Sequence, residues 1–560
     1  MEEVKQKLDN QLLSAQVKLV IWDLDDTFWR GTLSEEAIVP IKENVELVKT
    51  LAGRGIISSV CSKNDPALVE QQLRQLAIWD YFVLPSISFQ PKGNAILNII
   101  EALQLRPENV VFIDDNPSVL AEAQFNCPKL VCLSSPTFLV EQVDCAALKG
   151  NADPELTRLE QYKVIAKKFE SRQSSSISDE TFLRQSEIRI SIDYDIDASL
   201  DRIIELVNRS NQLNYTKIRI ETEKEREEFF HDLNAFGFNA GIVRVWDKYG
   251  DYGIVGFFMT LATLNRYELK HFVFSCRVMN MGIEQYVYAF LNRPDIRIIE
   301  PVANPIETFA NIDWITVSMK EEAIGRLRDR KITLIGGCDM LQLSTYCSCQ
   351  STEFTNREQH GIMKRLDDPF FILGDAKLFA ESELRPHIPA ANEEDVLQLR
   401  DALSTTDAVI VSFYRMMESN YFKGNDGLTF RIDEDALRAL LASDLGIWFV
   451  HNFTFVEYSH VHLNNLISMS FDRLASSTKA SAKIVVLLED TRKLDDNPEE
   501  YFFKNRYNEF ILKECARIEK LHYIDVNSAV DLAHLHDDGF HMNRQGYLQL
   551  AQAVMQIIDP

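Results

Sequence analysis

Asp23, Asp25 and Asp26 fill three of the four positions that follow the apolar run of "KLVIWDLDDTFW" (residues 18–29), and Asp114 and Asp115 close another such run in "VVFIDDNP" (110–117). Ser62, Lys63 and Asn64 close a third, "GIISSVCSKND", and "FQPKGN" adds Lys92. In open α/β sheets ligands sit outside the carboxyl ends of the strands, so polar residues that end an apolar strand face the expected site. Asp also serves helix N-caps and turns well, which is the plain structural alternative for acids in such places.

Strands must hold these acids in register. From Lys18 to about Asp144, short β-rich runs alternate with amphipathic helical stretches such as "NVELVKTLAGR" and "PALVEQQLRQL", which predicts a parallel, doubly wound sheet. The polar segment 151–184, with "ESRQSSSISDE", reads as a linker. Residues 185–325 run from "EIRISIDYD" through long strands to the helix "GIEQYVYAFLNR", the order of an α+β domain with a mostly antiparallel sheet. From "KITLIGGCD" to "GYLQLAQAVMQII" the strand and helix alternation returns, predicting a second doubly wound domain over 326–560. The chain thus reads as an α/β multidomain protein with domains at 1–150, 185–325 and 326–560.

Its 560 residues are too many for one ordinary core. A formal charge of −25 argues against nucleic-acid or anionic-membrane partners, which need Lys and Arg to neutralise them. The start of the chain lacks a signal peptide's pattern, and no apolar run is long enough to span a bilayer. Nine cysteines without repeating spacing suit a reducing compartment, so a cytoplasmic protein is expected. Cys347 and Cys349 form an isolated pair, a weak pointer to a metal.

In their order, "DLDDT", the strand-end Ser62, Lys92 and the paired acids 114–115 resemble the four motifs of the haloacid dehalogenase (HAD) superfamily. That resemblance implies a Rossmann-like parallel sheet and a Mg²⁺-dependent phosphatase. Asp23 would be the nucleophile, Asp25 the acid and base, Ser62 a hydrogen-bond donor to the phosphoryl group, and Lys92 the offsetting charge. Mg²⁺ would sit between Asp23, the backbone carbonyl of Asp25, and Asp114, with Asp115 orienting Asp114 or a metal-bound water. The chemistry is sound, because a carboxylate attacking a phosphoryl group needs a cation to cancel its repulsion from the anionic oxygens.

The wording "DLDDTFWRGTL", "CSKND" and "FIDDNP", followed by "LVNRSNQLNYT", "WDKYGDYGIVG" and "FVFSCRVMNMGIE", is similar to the FkbH-like branch, HAD subfamily IIIC. The second region resembles an acetyltransferase-like (GNAT) fold, with Arg277-Val-Met-Asn-Met-Gly282 standing where R-x-x-G-x-G opens a phosphate-binding helix. The resemblance implies a small phosphorylated acyl donor, 1,3-bisphosphoglycerate, and transfer of its glyceryl unit to the phosphopantetheine arm of an acyl carrier protein. Cys276, directly before Arg277, would carry the acyl group as a thioester, its pKa lowered by nearby positive charge. Thr27, Lys63, Asn64, Arg277 and Gly282 are the expected substrate or carrier contacts. The setting implied is biosynthesis of a secondary metabolite.

"DDGFHMNRQGYLQLAQAV" resembles the last block of SGNH/GDSL hydrolases, making Asp538 and His541 an orienter and base. The nucleophile position after the first strand of that domain is Cys338, where the family has Ser, so Cys338 rivals Cys276. Asn420, Asn425 and Asn452 are not assignable to an oxyanion hole. A plain phosphatase and a non-catalytic carrier-protein scaffold stand as the alternatives.

Overall fold

A computed structural model describes residues 15–34, 38–173, 178–263, 266–306, 312–317, 330–347, 349–355, 357–359, 362–364, 366, 368–374, 392–413, 420–432, 434–492, 498–537 and 541–559. Three sheets organise it.

The first sheet holds β1 (Leu19–Trp22), β2 (Ile57–Ser62), β3 (Ser86–Ile87), β4 (Val110–Ile113) and β5 (Val131–Leu133) in the order β3-β2-β1-β4-β5. Every pairing is parallel, with Trp22 opposite Val60 on one side and Ile113 on the other. Leu19 and Ile21 pack into one apolar cluster, and Val20 and Trp22 into a second. That is the pattern of a strand buried on both faces. Helices α1 (Lys42–Gly53), α2 (Pro66–Gln75), α3 (Lys92–Ala102) and α4 (Pro117–Asn126) link the strands. Asp65 and Asn116 cap α2 and α4 through their side chains, each with Pro in the first turn.

The second sheet has β6 (Ile188–Asp193), β7 (Phe238–Asp247), β8 (Gly250–Thr263), β9 (Arg266–Phe274), β10 (Asp295–Ile296) and β11 (Ile315–Val317), ordered β10-β9-β8-β7-β6-β11. Its four central strands are antiparallel and its two edge pairings parallel. The third sheet, β12 (Lys331–Gly336), β13 (Gln350–Thr355), β14 (Ala408–Val411), β15 (Lys483–Leu487) and β16 (Leu521–Ile524), is parallel throughout in the order β13-β12-β14-β15-β16. Among the described residues no helix is long and apolar enough to cross a membrane.

The expected linker at 151–184 takes a different form. Helix α5 (Thr157–Gln173) crosses it, and Leu159, Tyr162, Ile165 and Ala166 join the cluster that also holds Leu19 and Ile21 of the first sheet and Ile190, Val243 and Phe272 of the second. Polar composition hid an apolar stripe at helical spacing, so the first two sheets share one interior. The third unit meets the second through Tyr194 against Tyr346, with ring centroids 5.2 Å apart, and through Asn239 Nδ2 donating to Gln342 Oε1 at 2.9 Å. Arg544 pairs with Asp197 across the same contact.

Candidate active site

Ser62, Asp23 and Asp114 stand at the carboxyl ends of three adjacent strands, β2, β1 and β4 respectively. The register that sets Trp22 beside Ile113 places Asp23 beside Asp114, and the Asp23 amide donates to the Ile113 carbonyl at 2.9 Å. Lys92, the first residue of α3, enters between the two acids. Its Nζ lies 2.6 Å from Asp23 Oδ1 and 2.7 Å from Asp114 Oδ2. The triad is sealed from solvent, with Asp23, Lys92 and Asp114 only 6%, 5% and 1% exposed.

Burial and the neighbouring Asp114 push the Asp23 carboxyl above the ordinary carboxylate value, against the pull of Lys92. Burial opposes the charged form of Lys92 too, but two carboxylates outweigh it and its pKa is raised. Asp23, Asp114 and Asp115 each offer an oxygen within 4.8 Å of the others. Three carboxylates around a single ammonium leave excess negative charge, and every donor is a hard oxygen. This set fits Mg²⁺, and Asp23, Asp114 and Asp115 are the side chains that would hold it.

The loop after β1 is held by its own side chains. Asp25 Oδ1 accepts from Trp29 Nε1 at 2.9 Å and from the Leu33 amide at 3.1 Å, while Oδ2 accepts from Asn64 Nδ2 at 2.9 Å. Thr27 Oγ1 accepts from the Asp115 amide at 3.1 Å, tying the loop to the end of β4. Asp26 turns the chain with φ 52° and accepts from the Gly31 amide at 2.8 Å. Asn44, buried on α1, donates to the carbonyls of Thr27 and Phe28. Trp29 and Asn44 were missed by motif reading; the i, i+4 spacing of Asp25 and Trp29 is the one local signal that pointed to the first. Of the expected substrate contacts here, Lys63 is exposed, whereas Thr27 and Asn64 brace the loop from within.

Cys276 lies in another place. It opens a single 3₁₀ turn, Cys276–Val278, just beyond β9, and its Sγ donates to Gln212 Oε1 at 3.4 Å. The expected lowering of its pKa is overturned: burial pushes the thiol up, and Lys18 and Arg106 pull it down by less. Gly282 caps α6 (Ile283–Phe290) at φ 80°. A Cβ there would come within 3.1 Å of Ile312 Cδ1 and 3.3 Å of Trp314 Cζ2, which explains the glycine without a ligand. The first turn of α6 also carries the buried Glu284, an acid where a phosphate was expected.

In the third unit His541 rests its ring on Phe236 of the second, with centroids 4.0 Å apart. Cys338 begins the helix Cys338–Tyr346 after β12, but its side chain, like all of Asp538, lies outside the described residues.

No family model matches the sequence, and no curated protein matches it. Solved structures do. The N-terminal part of a Bacteroides fragilis protein, containing a phosphatase domain complexed with Mg, is 24% identical over 26% of this chain and 44% of that one, with a TM-score of 0.23. The chain therefore spans less than half the length of that structure. A cobalt-bound deoxy-D-mannose-octulosonate 8-phosphate phosphatase from Haemophilus influenzae is 18% identical over 29% of this chain and 97% of that one, with a TM-score of 0.19. A 3-deoxy-D-manno-octulosonate 8-phosphate phosphatase from Moraxella catarrhalis, in complex with magnesium, phosphate and KDO, is 14% identical over 30% and 97%, with a TM-score of 0.18. TM-scores and identities this low carry no functional weight beside the residues at the strand ends.

Proposed function

We propose that this protein is a Mg²⁺-dependent phosphatase of HAD type, coupled to transfer of an acyl unit from a small phosphorylated donor to a carrier protein. The observation that carries the phosphatase reading is Lys92 set between Asp23 and Asp114 at hydrogen-bonding distance from both, with Asp115 beside them. Bound Mg²⁺ would offset the negative charge of the phosphoryl oxygens.

Asp23 attacks phosphorus, forming an aspartyl phosphate, and the leaving oxygen takes a proton from Asp25. Water, losing a proton to Asp25, then attacks the same phosphorus, which releases inorganic phosphate and frees the Asp23 carboxylate. Trp29 and Asn64 hold Asp25 where it can serve both halves. Lys92 favours the ionised form of Asp23 against burial and the neighbouring Asp114.

The acyl-transfer half rests on the resemblance of "FVFSCRV" to the FkbH-like cysteine segment. There the Cys276 thiolate would attack the acyl carbon of an acyl phosphate, expelling phosphate and forming a thioester that the thiol of a carrier arm then takes. The raised pKa of Cys276 favours a second reading, a plain phosphatase without a covalent acyl-enzyme.

Incubation with Mg²⁺ and freshly generated 1,3-bisphosphoglycerate, followed by peptide mass spectrometry, separates the two. A glyceryl or phosphoglyceryl adduct on Cys276 supports transfer; an adduct on Cys338 moves it to the third unit. Phosphate release that Asp23→Asn abolishes, with neither adduct, leaves the plain phosphatase. No phosphate release at all would sink both.

A further inference from the structure

Between the first two sheets, at the end of β1 opposite to Asp23, lies a cavity of about 320 Å³. Lys18 from the start of β1, Arg158 of α5, Arg202 and Arg209 of helix Leu200–Arg209, and Arg277 line it together with Cys276. Five cations gathered on one small cavity are anomalous in a protein whose formal charge is −25. Only two carboxylates, Asp153 and Glu205, share the lining.

Both carboxylates are committed. Asp153 accepts from the Thr157 and Arg158 amides and so caps α5. Glu205 is divided between Arg202 at 2.6 Å and Arg209 at 2.8 Å. Lys18, Arg158 and Arg277 have no ion pair among the described residues. Arg158 Nε and Arg277 Nη1 are buried without a hydrogen-bond partner, and the Arg158 guanidinium lies over the Tyr162 ring, 5.7 Å from its centroid.

Like charges crowded away from water strain toward an anion. Burial, then Arg158 and Arg209, lower the Lys18 pKa to about 8; burial, then Arg202, lower that of Arg277 to about 9. A carboxylate would neutralise one of the three unpaired cations. A phosphate monoester carries about −1.5 to −2 charge and accepts paired guanidinium hydrogen bonds, which suits arginines better than any singly charged ligand.

We infer that this cavity is a second phosphate-binding site, separate from the Asp23 site, which holds the phosphate monoester of a small phosphorylated metabolite beside the Cys276 thiol. The site stands on its own lining. Only the reading of its ligand as acyl donor rests on the proposed transfer.

The test is alkylation of Cys276 by iodoacetamide in the full-length protein, followed by peptide mass spectrometry at constant ionic strength. The probes are 3-phosphoglycerate, inorganic phosphate and, as the control without phosphate, glycerate. At about ten times its Kd a bound ligand slows alkylation about tenfold by occupancy. Slowing by 3-phosphoglycerate or by inorganic phosphate, without slowing by glycerate, is the expected result. Protection should weaken in Lys18→Gln and Arg158→Gln, return in part in Arg158→Lys, and survive in Asp23→Asn. Equal slowing by glycerate, no slowing by either phosphate, or protection lost in Asp23→Asn overturns the inference. Thermal melts of each variant guard against unfolding, since a folded Arg158→Gln that keeps full protection also overturns it. Phosphate release assayed in parallel separates this failure from that of the phosphatase reading.

Discussion

Lys18 and Asp23 bracket the four residues of β1, so the cationic cavity and the acid cluster open at opposite ends of one strand. Five residues of extended chain set them roughly 16 Å apart at about 3.3 Å per residue. The thiol and the acids therefore cannot act on one bound atom, and a substrate that visits both must travel.

Separation of the two ends predicts independent chemistry. Cys276→Ala should hydrolyse a simple phosphate monoester within about twofold of the wild-type rate, since well-separated sites without shared partners behave additively. Steady-state phosphate release checks it. A loss comparable to that of Asp23→Asn would mean that the thiol belongs to the phosphatase centre.

Lys92 compensates two buried acids. Lys92→Met leaves Asp23 and Asp114 facing each other with no ammonium between them, and loss of one partner from a buried pair costs about 3–5 kcal/mol. The variant should melt well below the wild type, and Mg²⁺ should raise its Tm more than it raises that of the wild type. An unchanged melting temperature would show that the ion pairs contribute nothing.

His271, on β9, is enclosed by Phe229 and Phe257, with ring centroids at 5.7 and 5.9 Å. Burial, aided by Lys270, lowers its pKa from 6.5 to about 4. The unfolded chain takes up a proton near pH 6.5 while the folded chain refuses it, so stability is full above that value and declines as pH falls toward 4. At 1.36 kcal/mol per unit the whole window is worth about 3 kcal/mol, of which about 2 is lost by pH 5. Urea melts at pH 7 and pH 5 should show that loss in the wild type and not in His271→Leu. Equal losses in both would assign it elsewhere.

Gly282→Ala places a methyl group where φ is 80° and where Ile312 and Trp314 already press on the backbone. Left-handed geometry alone costs a non-glycine residue about 1–2 kcal/mol. Thermal melting should fall accordingly while phosphate release by the folded enzyme is unaltered. A variant as stable as the wild type would return Gly282 to consideration as a ligand contact.

The acid cluster was legible because each member directly ends an apolar run, and a parallel sheet aligns such ends. Asp23, Ser62, Asp114 and Asp115 needed only that rule, whereas Lys92 opens a helix and was singled out by the order of the motifs. Cys276 shows where residue types fall short: its neighbours are positive, as "SCRV" suggested, yet burial outweighs them, and burial is a property of the packed chain. The cationic cavity was hidden for another reason. Its members are scattered from residue 18 to residue 277, and only the meeting of two sheets brings them together. Helix α5 was concealed by polar residues that cover its exposed side.

That helix makes the first 150 residues something other than a detachable module. Leu159, Tyr162, Ile165 and Ala166 belong to the same apolar cluster as Leu19 and Ile21 of β1, so a chain cut after residue 150 would lose one wall of that cluster. The shared interior predicts that the first two sheets melt in one cooperative transition, so that whatever disturbs the second sheet is felt at the Asp23 site as a loss of folded molecules before it is felt as a change in chemistry.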